Sequence, residues 1–277
     1  MMNGFWMLTF ASVNIKTVGL AALVVGLTGL LIGILLGVAG KFFAVEVDEK
    51  EQAVRENLPG NNCGGCGFPG CDGLAKAIAQ GTAPYNQCPV ANAEAKAAIA
   101  KLVGASATDE VKKVAFVRCL GTCDKAGFKY NYFGLHDCRK LALIPGHGDK
   151  KCENGCMGYG SCIKVCKFGA ISIVNGVAVV DRDKCTACGM CTKVCPNHLI
   201  TLIAYDESVA VACSNTNKGK EVKDACEAGC IGCGLCAKNC PTGALTMENN
   251  LPKIDTEKCN GCGTCADKCV QKCIVKR

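Results

Sequence analysis

Cys185, Cys188, Cys191 and Cys195, followed by Pro196, are separated by two, two and three residues. Three thiolates at such intervals in a tight loop wrap one face of a cubane iron–sulfur cluster. The fourth, in the following turn, reaches the other cluster of a pair. The same run recurs at Cys230, Cys233, Cys236 and Cys240 before Pro241, and again at Cys259, Cys262, Cys265 and Cys269. A four-cysteine zinc site uses two C-x-x-C knuckles parted by a longer loop, which this spacing does not offer. The chemistry in view is one-electron storage and transfer. A different pattern lies upstream, at Cys63, Cys66, Cys71 and Cys88 before Pro89. Gly64, Gly65, Gly67 and Gly70 let that backbone fold tightly and turn amide N–H groups toward sulfide. On spacing alone, zinc remains a rival there.

The densest cysteine pattern is a tandem duplication with a 74-residue period. Cys152, Cys156, Cys162 and Cys166 recur as Cys226, Cys230, Cys236 and Cys240, and Cys185, Cys188, Cys191 and Cys195 recur as Cys259, Cys262, Cys265 and Cys269. With the fourth cysteine of each run given to the partner cluster, Cys230, Cys233, Cys236 and Cys269 form one set. Cys259, Cys262, Cys265 and Cys240 form another, and Cys185, Cys188, Cys191 and Cys166 a third. The sister of that third set has Cys156, Cys162, Cys195 and, at the position aligned with Cys233, Tyr159. Cys152 is the expected substitute; the alternatives are a three-iron cluster or none. Lys167 also stands where a proline follows the fourth cysteine of the other runs at Cys195 and Cys240. Five [4Fe-4S] clusters are therefore expected. Cys119, Cys123, Cys138, Cys213, Cys226 and Cys273 are left over. Of these, Cys119, Cys123 and Cys138 are candidate ligands of a sixth cluster, with Cys152 or Cys226 as the fourth; the alternative is buried, inert thiol.

The elements that must position these loops are legible in part. Ile171 to Val174 and Val177 to Val180 flank Asn175-Gly176, a strong two-residue hairpin signal, and Leu245 to Ile254 repeats it around Asn249-Asn250. Lys113 to Arg118 alternates as a strand should. Glu46 to Asn57 reads as a charged helical stalk, and Ala91 to Ala107 as an alanine-rich surface helix or linker. Val18 to Ala39 is uncharged over 22 residues, enough helix to span a hydrocarbon core of about 30 Å. A secretory signal would have a shorter apolar stretch and a small-residue cleavage site, which Gly40-Lys41-Phe42-Phe43 does not supply. Gly29, Gly33 and Gly37 share one face of that helix, where a second transmembrane helix could approach closely. Lys16 on one flank and Lys41, Glu46, Asp48, Glu49 and Lys50 on the other leave the orientation unset.

Composition narrows the function. The 277 residues include 26 cysteines, 49% hydrophobic and 5% aromatic residues, and a formal charge of +7. A basic chain invites a nucleic-acid reading. Its Lys and Arg are scattered between cysteine loops without interleaved aromatics, which disfavours that class. Bound iron–sulfur clusters each add about two negative charges, so five of them turn +7 into roughly −3. Gly232-x-Gly234-x-x-Ala237 and Gly261-x-Gly263-x-x-Ala266 resemble dinucleotide fingerprints, but neither leads from a strand into a βαβ unit. His136, His147 and His198 read as surface or loop histidines. No catalytic acid–base pair or nucleophile stands out, and no complete NAD or flavin site is expected.

An apolar anchor, NNCGGCGFPGC followed by CP, and duplicated ferredoxin units, in that order, resemble the B subunits of Rnf complexes over essentially the whole length. The resemblance implies an α+β chain: a membrane anchor (1–40), a stalk (41–60), a small [4Fe-4S] domain with a helical linker (61–107), and two bacterial-type 2[4Fe-4S] ferredoxin-like units (108–205 and 206–277). It also implies that Cys63, Cys66, Cys71 and Cys88 hold iron–sulfur rather than zinc. The implied function is an iron–sulfur component of a membrane complex that oxidises reduced ferredoxin, reduces NAD and exports Na⁺ or H⁺. It would pass electrons to flavin- and NAD-binding partner subunits, with its soluble part on the cytoplasmic side of a bacterial cell membrane. The rivals are a polyferredoxin arm of another membrane hydrogenase or dehydrogenase, and a zinc-binding structural protein.

Overall fold

The computed structural model describes residues 15–43, 48–106 and 111–277. Residues 1–14 of the expected anchor segment, 44–47 of the expected stalk and the expected boundary at 107/108 lie outside them. Two units are separable, one ending at Asp48 and the other running from Glu49 to Arg277. The first is helix α1 (Ile15–Phe42). Its stretch Val18–Phe42 has a mean hydropathy of 2.5, and its large side chains are exposed throughout. Such a surface is compatible with lipid and costly in water. Thr28, its one mid-span hydroxyl, donates back to the carbonyls of Val24 and Val25 at 3.0 and 2.9 Å, so no polar group is left for the lipid to satisfy.

The second unit begins with three helices, α2 (Glu49–Asn57), α3 (Cys71–Ala79) and α4 (Ala93–Val103). Val54, Leu58, Leu74, Ile78 and Ile99 form their common core, all at most 5% exposed. The segment expected as a stalk therefore splits: α2 buries Val54 against α3 and belongs to the N-terminal cysteine domain. Helix α4, expected as a surface helix or linker, likewise buries Ile99. Asn92 caps α4 by accepting the Ala95 N–H at 2.8 Å, and Gly104 closes it in the left-handed region at φ 72°.

Two units of one plan follow. In the first, strand β1 (Lys113–Val117) leads into a long excursion containing α5 (Cys138–Leu141) and then α6 (Ser161–Lys164). Hairpin β2 (Ile171–Val174) and β3 (Val177–Val180) comes next, then α7 (Met190–Val194) and β4 (Ile200–Ala204). Strand β4 returns antiparallel to β1, with Val117 opposite Ile200. The hairpin turn uses Asn175 and Gly176 at φ 45° and 75°, the positive pair a two-residue turn of this kind demands.

The second unit repeats this with β5 (Val209–Val211), α8 (Gly219–Ala225), α9 (Leu235–Lys238), β6 (Leu245–Glu248), β7 (Leu251–Ile254), α10 (Thr264–Asp267) and β8 (Ile274–Lys276). Here β8 pairs with β5 and β6 with β7. Each core is a few aliphatic residues wrapped around cysteines: Val117, Ile171 and Val177 with Cys162 and Cys191, and Val209, Leu245 and Leu251 with Cys236 and Cys265.

Candidate iron–sulfur sites

All 26 cysteines are unpaired, and most converge in fours. The outer site of the first unit is a cavity lined by Cys166, Cys185, Cys188 and Cys191. Its counterpart in the second unit is lined by Cys240, Cys259, Cys262 and Cys265. Burial pushes the Cys191 thiol up to about 12, with neighbouring Cys188 and Cys185 adding to it. In the second unit the Thr242 and Thr264 hydroxyls, 3.6 and 3.4 Å from Cys240 and Cys262, hold those thiols below the usual range. Phe168 and Met190 occupy the matching positions of the first unit.

The inner site of the second unit brings together Cys230, Cys233, Cys236 and Cys269, with Cys273 as a fifth thiol. Cys273 is 1% exposed, and its sulfur lies 3.5 Å from that of Cys269. In the first unit, Cys156, Cys162 and Cys195 share the equivalent cavity with Cys138. Cys152, expected to replace the ligand missing at Tyr159, lies elsewhere. The cause is local: Cys152 enters its loop on the far side of Gly155, whereas Cys138 starts a helical turn docked on α6. Asp137 caps that turn, accepting the Arg139 N–H at 2.9 Å. The Cys138 N–H donates to Ser161 Oγ at 2.8 Å, and Ser161 in turn donates to Asp137 at 3.0 Å. Ser161 is next to Cys162, so these bonds tie the two cysteines' backbones. The Ser161 hydroxyl first, then the Arg139 amide and Lys164, hold the Asp137 carboxyl at about 2. Tyr159 turns away from the sulfurs. Its hydroxyl donates to Asp149 at 2.8 Å, and its ring meets those of Tyr132 and His136 at 5.6 and 5.0 Å.

A further site lies between the two ferredoxin-like units. Cys119, Cys152, Cys213 and Cys226 line one cavity together with Arg118, Lys150 and Asn215. Cys119 and Cys213 each stand two residues past a strand end, at Val117 and Val211, and Cys152 and Cys226 are related by the repeat. The site thus receives one equivalent pair from each unit. Backbone N–H groups point at its sulfurs: Gly121 and Cys156 at Cys119 (3.4 and 3.3 Å), Asn215 and Cys230 at Cys213 (3.5 and 3.3 Å). The Asn215 side-chain amide donates to Cys152 at 3.7 Å. A Cβ on Gly121 would sit 3.3 Å from the Cys226 sulfur and 3.5 Å from that of Cys119. Burial, then the three neighbouring thiols, push Cys152 up to about 12. The expected grouping of Cys119, Cys123 and Cys138 is thereby divided. Cys119 belongs to the junction and Cys138 to the first unit's inner site. Cys123 is exposed against Gly176, because its N–H is held by the Asn175 carbonyl at 2.9 Å.

In the N-terminal domain, Cys71 and Cys88 are buried with Cys66 packed against them, and the Cys71 N–H donates to Asn62 Oδ1 at 2.7 Å. Cys63 lies on the face of that loop turned to Cys188. There Gly65 comes so close that a Cβ would be 2.5 Å from the Cys188 carbonyl. Lys167, the residue in place of proline, donates to the Asn62 carbonyl at 2.7 Å.

The sites adjoin in a row. The N-terminal loop meets the first outer site at Cys188. Helices α6 and α7, which carry Cys162 and Cys191, pack together and link outer to inner. The Cys156 N–H joins the first inner site to the junction, and the Cys230 N–H joins the junction to the second. Helices α9 and α10 repeat the inner-to-outer link.

The donor sets suit iron–sulfur clusters. Buried thiols resist ionisation, and an iron cluster supplies the positive charge that thiolates need. Among the described residues, no three His, Cys, Asp or Glu side chains close on a point fit for a single metal ion. The thiols line cavities instead. The site that sequence reasoning missed is the junction. Its one signal was a cysteine two residues after each strand, and the longer first-unit excursion hid it by breaking the 74-residue register.

Comparison with known proteins is consistent with this geometry. Residues 58–90 match the FeS family, an Fe-S cluster domain; residues 178–201 match a 4Fe-4S binding domain; and residues 229–273 match a 4Fe-4S dicluster domain. The B subunit of the Na(+)-translocating ferredoxin:NAD(+) oxidoreductase complex of Acetobacterium woodii is 47% identical over 91% of this chain and 75% of its own length. The B subunit of the ion-translocating oxidoreductase complex of Methanosarcina acetivorans is 42% identical, covering 83% of this chain and 88% of the relative. That of the proton-translocating ferredoxin:NAD(+) oxidoreductase complex of Clostridium ljungdahlii is 42% identical over 88% and 86%.

Proposed function

Since the chain belongs to the family of B subunits of ion-translocating (Rnf) oxidoreductase complexes, we propose that it conducts electrons along a row of six [4Fe-4S] sites. It is an iron–sulfur electron-transfer subunit of a membrane-associated oxidoreductase. The finer assignment is ours. Cys63, Cys66, Cys71 and Cys88 hold the first cluster, and Cys166, Cys185, Cys188 and Cys191 the second. Cys138, Cys156, Cys162 and Cys195 hold the third, and Cys119, Cys152, Cys213 and Cys226 the fourth. Cys230, Cys233, Cys236 and Cys269 hold the fifth, and Cys240, Cys259, Cys262 and Cys265 the sixth. When bound, these groups supply reversible one-electron storage at low potential.

The observation that carries the reading is the contiguity of the six sets: each meets the next through a close backbone approach, a helix pair or an N–H···S contact. The protein's part is to fix the spacing, exclude water and aim amide N–H groups at sulfur, which tunes each site. Reduced ferredoxin is the proposed donor and flavin- and NAD-binding subunits the acceptors, a reading supported by the names of the relatives. Helix α1 is the membrane anchor. We assign the cysteine-bearing unit to the cytoplasmic side, where thiols stay reduced and clusters are assembled.

Iron and acid-labile sulfide analysis of anaerobically purified protein, with electron paramagnetic resonance (EPR) of the reduced form, tests this. About 24 of each per chain is expected for six clusters. Stoichiometric zinc with no EPR signal would overturn it.

A further inference from the structure

The junction site differs from its neighbours in charge. None of the residues lining the two inner and two outer cavities is charged, whereas Arg118 and Lys150 line the junction. Lys150 is 5% exposed, an uncommon place for a lysine. Its ammonium donates to the carbonyls of Gly121 at 2.9 Å and Gly176 at 2.7 Å. Gly121 is the residue whose Cα faces the Cys119 and Cys226 sulfurs, so the charge sits one peptide from the cluster cradle. Phe128 and Lys150 form an antiparallel bridge, and side chains alternate along it. Asp149 turns one carboxylate oxygen to the Tyr159 hydroxyl at 2.8 Å, and among the described residues its other oxygen makes no hydrogen bond to Lys150. Arg118 adds a second charge at the rim, donating to the Cys213 carbonyl at 3.4 Å. The repeat partner of Lys150 is Asp224, which is exposed on α8. The positive charge therefore enters from the first unit alone.

Adding one electron to the junction site adds one negative charge, and a fixed cation in a water-poor setting favours that state. We infer that Lys150 is a positioning residue that raises the reduction potential of the junction site above those of the inner sites on either side. The electron entering from one ferredoxin-like unit would then rest between the two. This inference depends on the junction holding a cluster, which the proposed function assigns to it.

Two sets of holoprotein variants separate the two claims. Cys213→Ala removes a junction ligand, and iron is expected to fall by about four per chain. The EPR signal it loses identifies the junction cluster. If iron and spectrum are unchanged, the junction holds no cluster and the inference falls with it. With that signal assigned, redox titration of Lys150→Gln, which keeps an N–H donor but removes the charge, is expected to move this midpoint furthest to lower potential with iron content intact. Lys150→Arg is expected to leave it near the parent value. A junction midpoint unchanged in Lys150→Gln, or equally lowered in Lys150→Arg, would overturn the role of Lys150 while leaving the six-site reading in place.

Discussion

The two ferredoxin-like units descend from one sequence, yet they complete their inner sites differently. The second draws all four thiols from its own runs, Cys230, Cys233 and Cys236 with Cys269. The first has Tyr159 where the second has Cys233, and recruits Cys138 from outside the run. The excursions explain the difference. Val117 to Cys152 is 35 positions, whereas Val211 to Cys226 is only 15. The longer one carries Cys138, the Asp137 cap that orients it, and Asp149, Tyr132 and His136, which hold Tyr159 aside. A cluster needs a thiolate at a place in space, and an inserted loop can supply it when the run cannot. The same unit differs at its outer end. Lys167 and a close-packed Gly65 dock the N-terminal domain there, while Pro241 and the exposed Cys262 leave the second unit's end open.

Exchanging the solutions breaks the comparison most severely. Cys138→Ala is expected to cost the first unit its inner cluster, about four irons per chain, with the second unit's inner signal retained. Adding Tyr159→Cys should restore the iron, because the run then matches that of the second unit. Failure of the double variant to recover iron would show that Tyr159 and Cys138 do not stand in for one another.

Gly65→Ala comes next. Its Cβ would meet the Cys188 backbone at 2.5 Å, so the N-terminal domain must move off the first outer site. Full iron content is expected, with stopped-flow reduction between those two clusters slowed at least tenfold. Unchanged kinetics would show that this contact is not the path.

Asp137→Asn should have a smaller effect, a few-fold faster loss of the first inner cluster's iron to a chelator. The Asp137 carboxyl is held at about 2 against an ordinary value of 3.8. A group lowered in this way contributes fully above its ordinary value and loses that contribution as pH falls through the lowered one. The difference between parent and variant should thus be constant from pH 8 to about 4 and shrink below. A difference that grows toward acid would contradict the assignment.

The smallest effect is expected for Lys167→Pro, which gives the first unit the residue of the second. It removes one exposed hydrogen bond to Asn62, worth about 1 kcal/mol. Amide exchange in residues 62–67 should quicken about fivefold, with cluster content unaltered.

Much of this was legible in the sequence because ferredoxin runs are local. Cys185, Cys188 and Cys191 act within one loop, and Asn175-Gly176 dictates its own turn. Helix α4 was marked by the alanine-rich run from Ala91 to Ala107, although its burial was not, since an alanine-rich face suits surface and core alike. What remained hidden depends on distant pairing. Cys119 meets Cys213 only because β1 and β5 occupy equivalent places in two units that share one cavity. Cys138 reaches Cys156 only because a helical turn docks on Ser161. Cys123, three positions short of Ala126 and close in sequence to Cys119, was drawn into the wrong set by proximity along the chain.

Anomalous scattering at the iron edge, from crystals of the protein purified with its clusters intact, tests the central claim most directly. Six iron peaks in a row are predicted, the fourth between Cys119, Cys152, Cys213 and Cys226 and the third beside Cys138. Five peaks with nothing at the junction, or a third peak ligated by Cys152, would contradict the account.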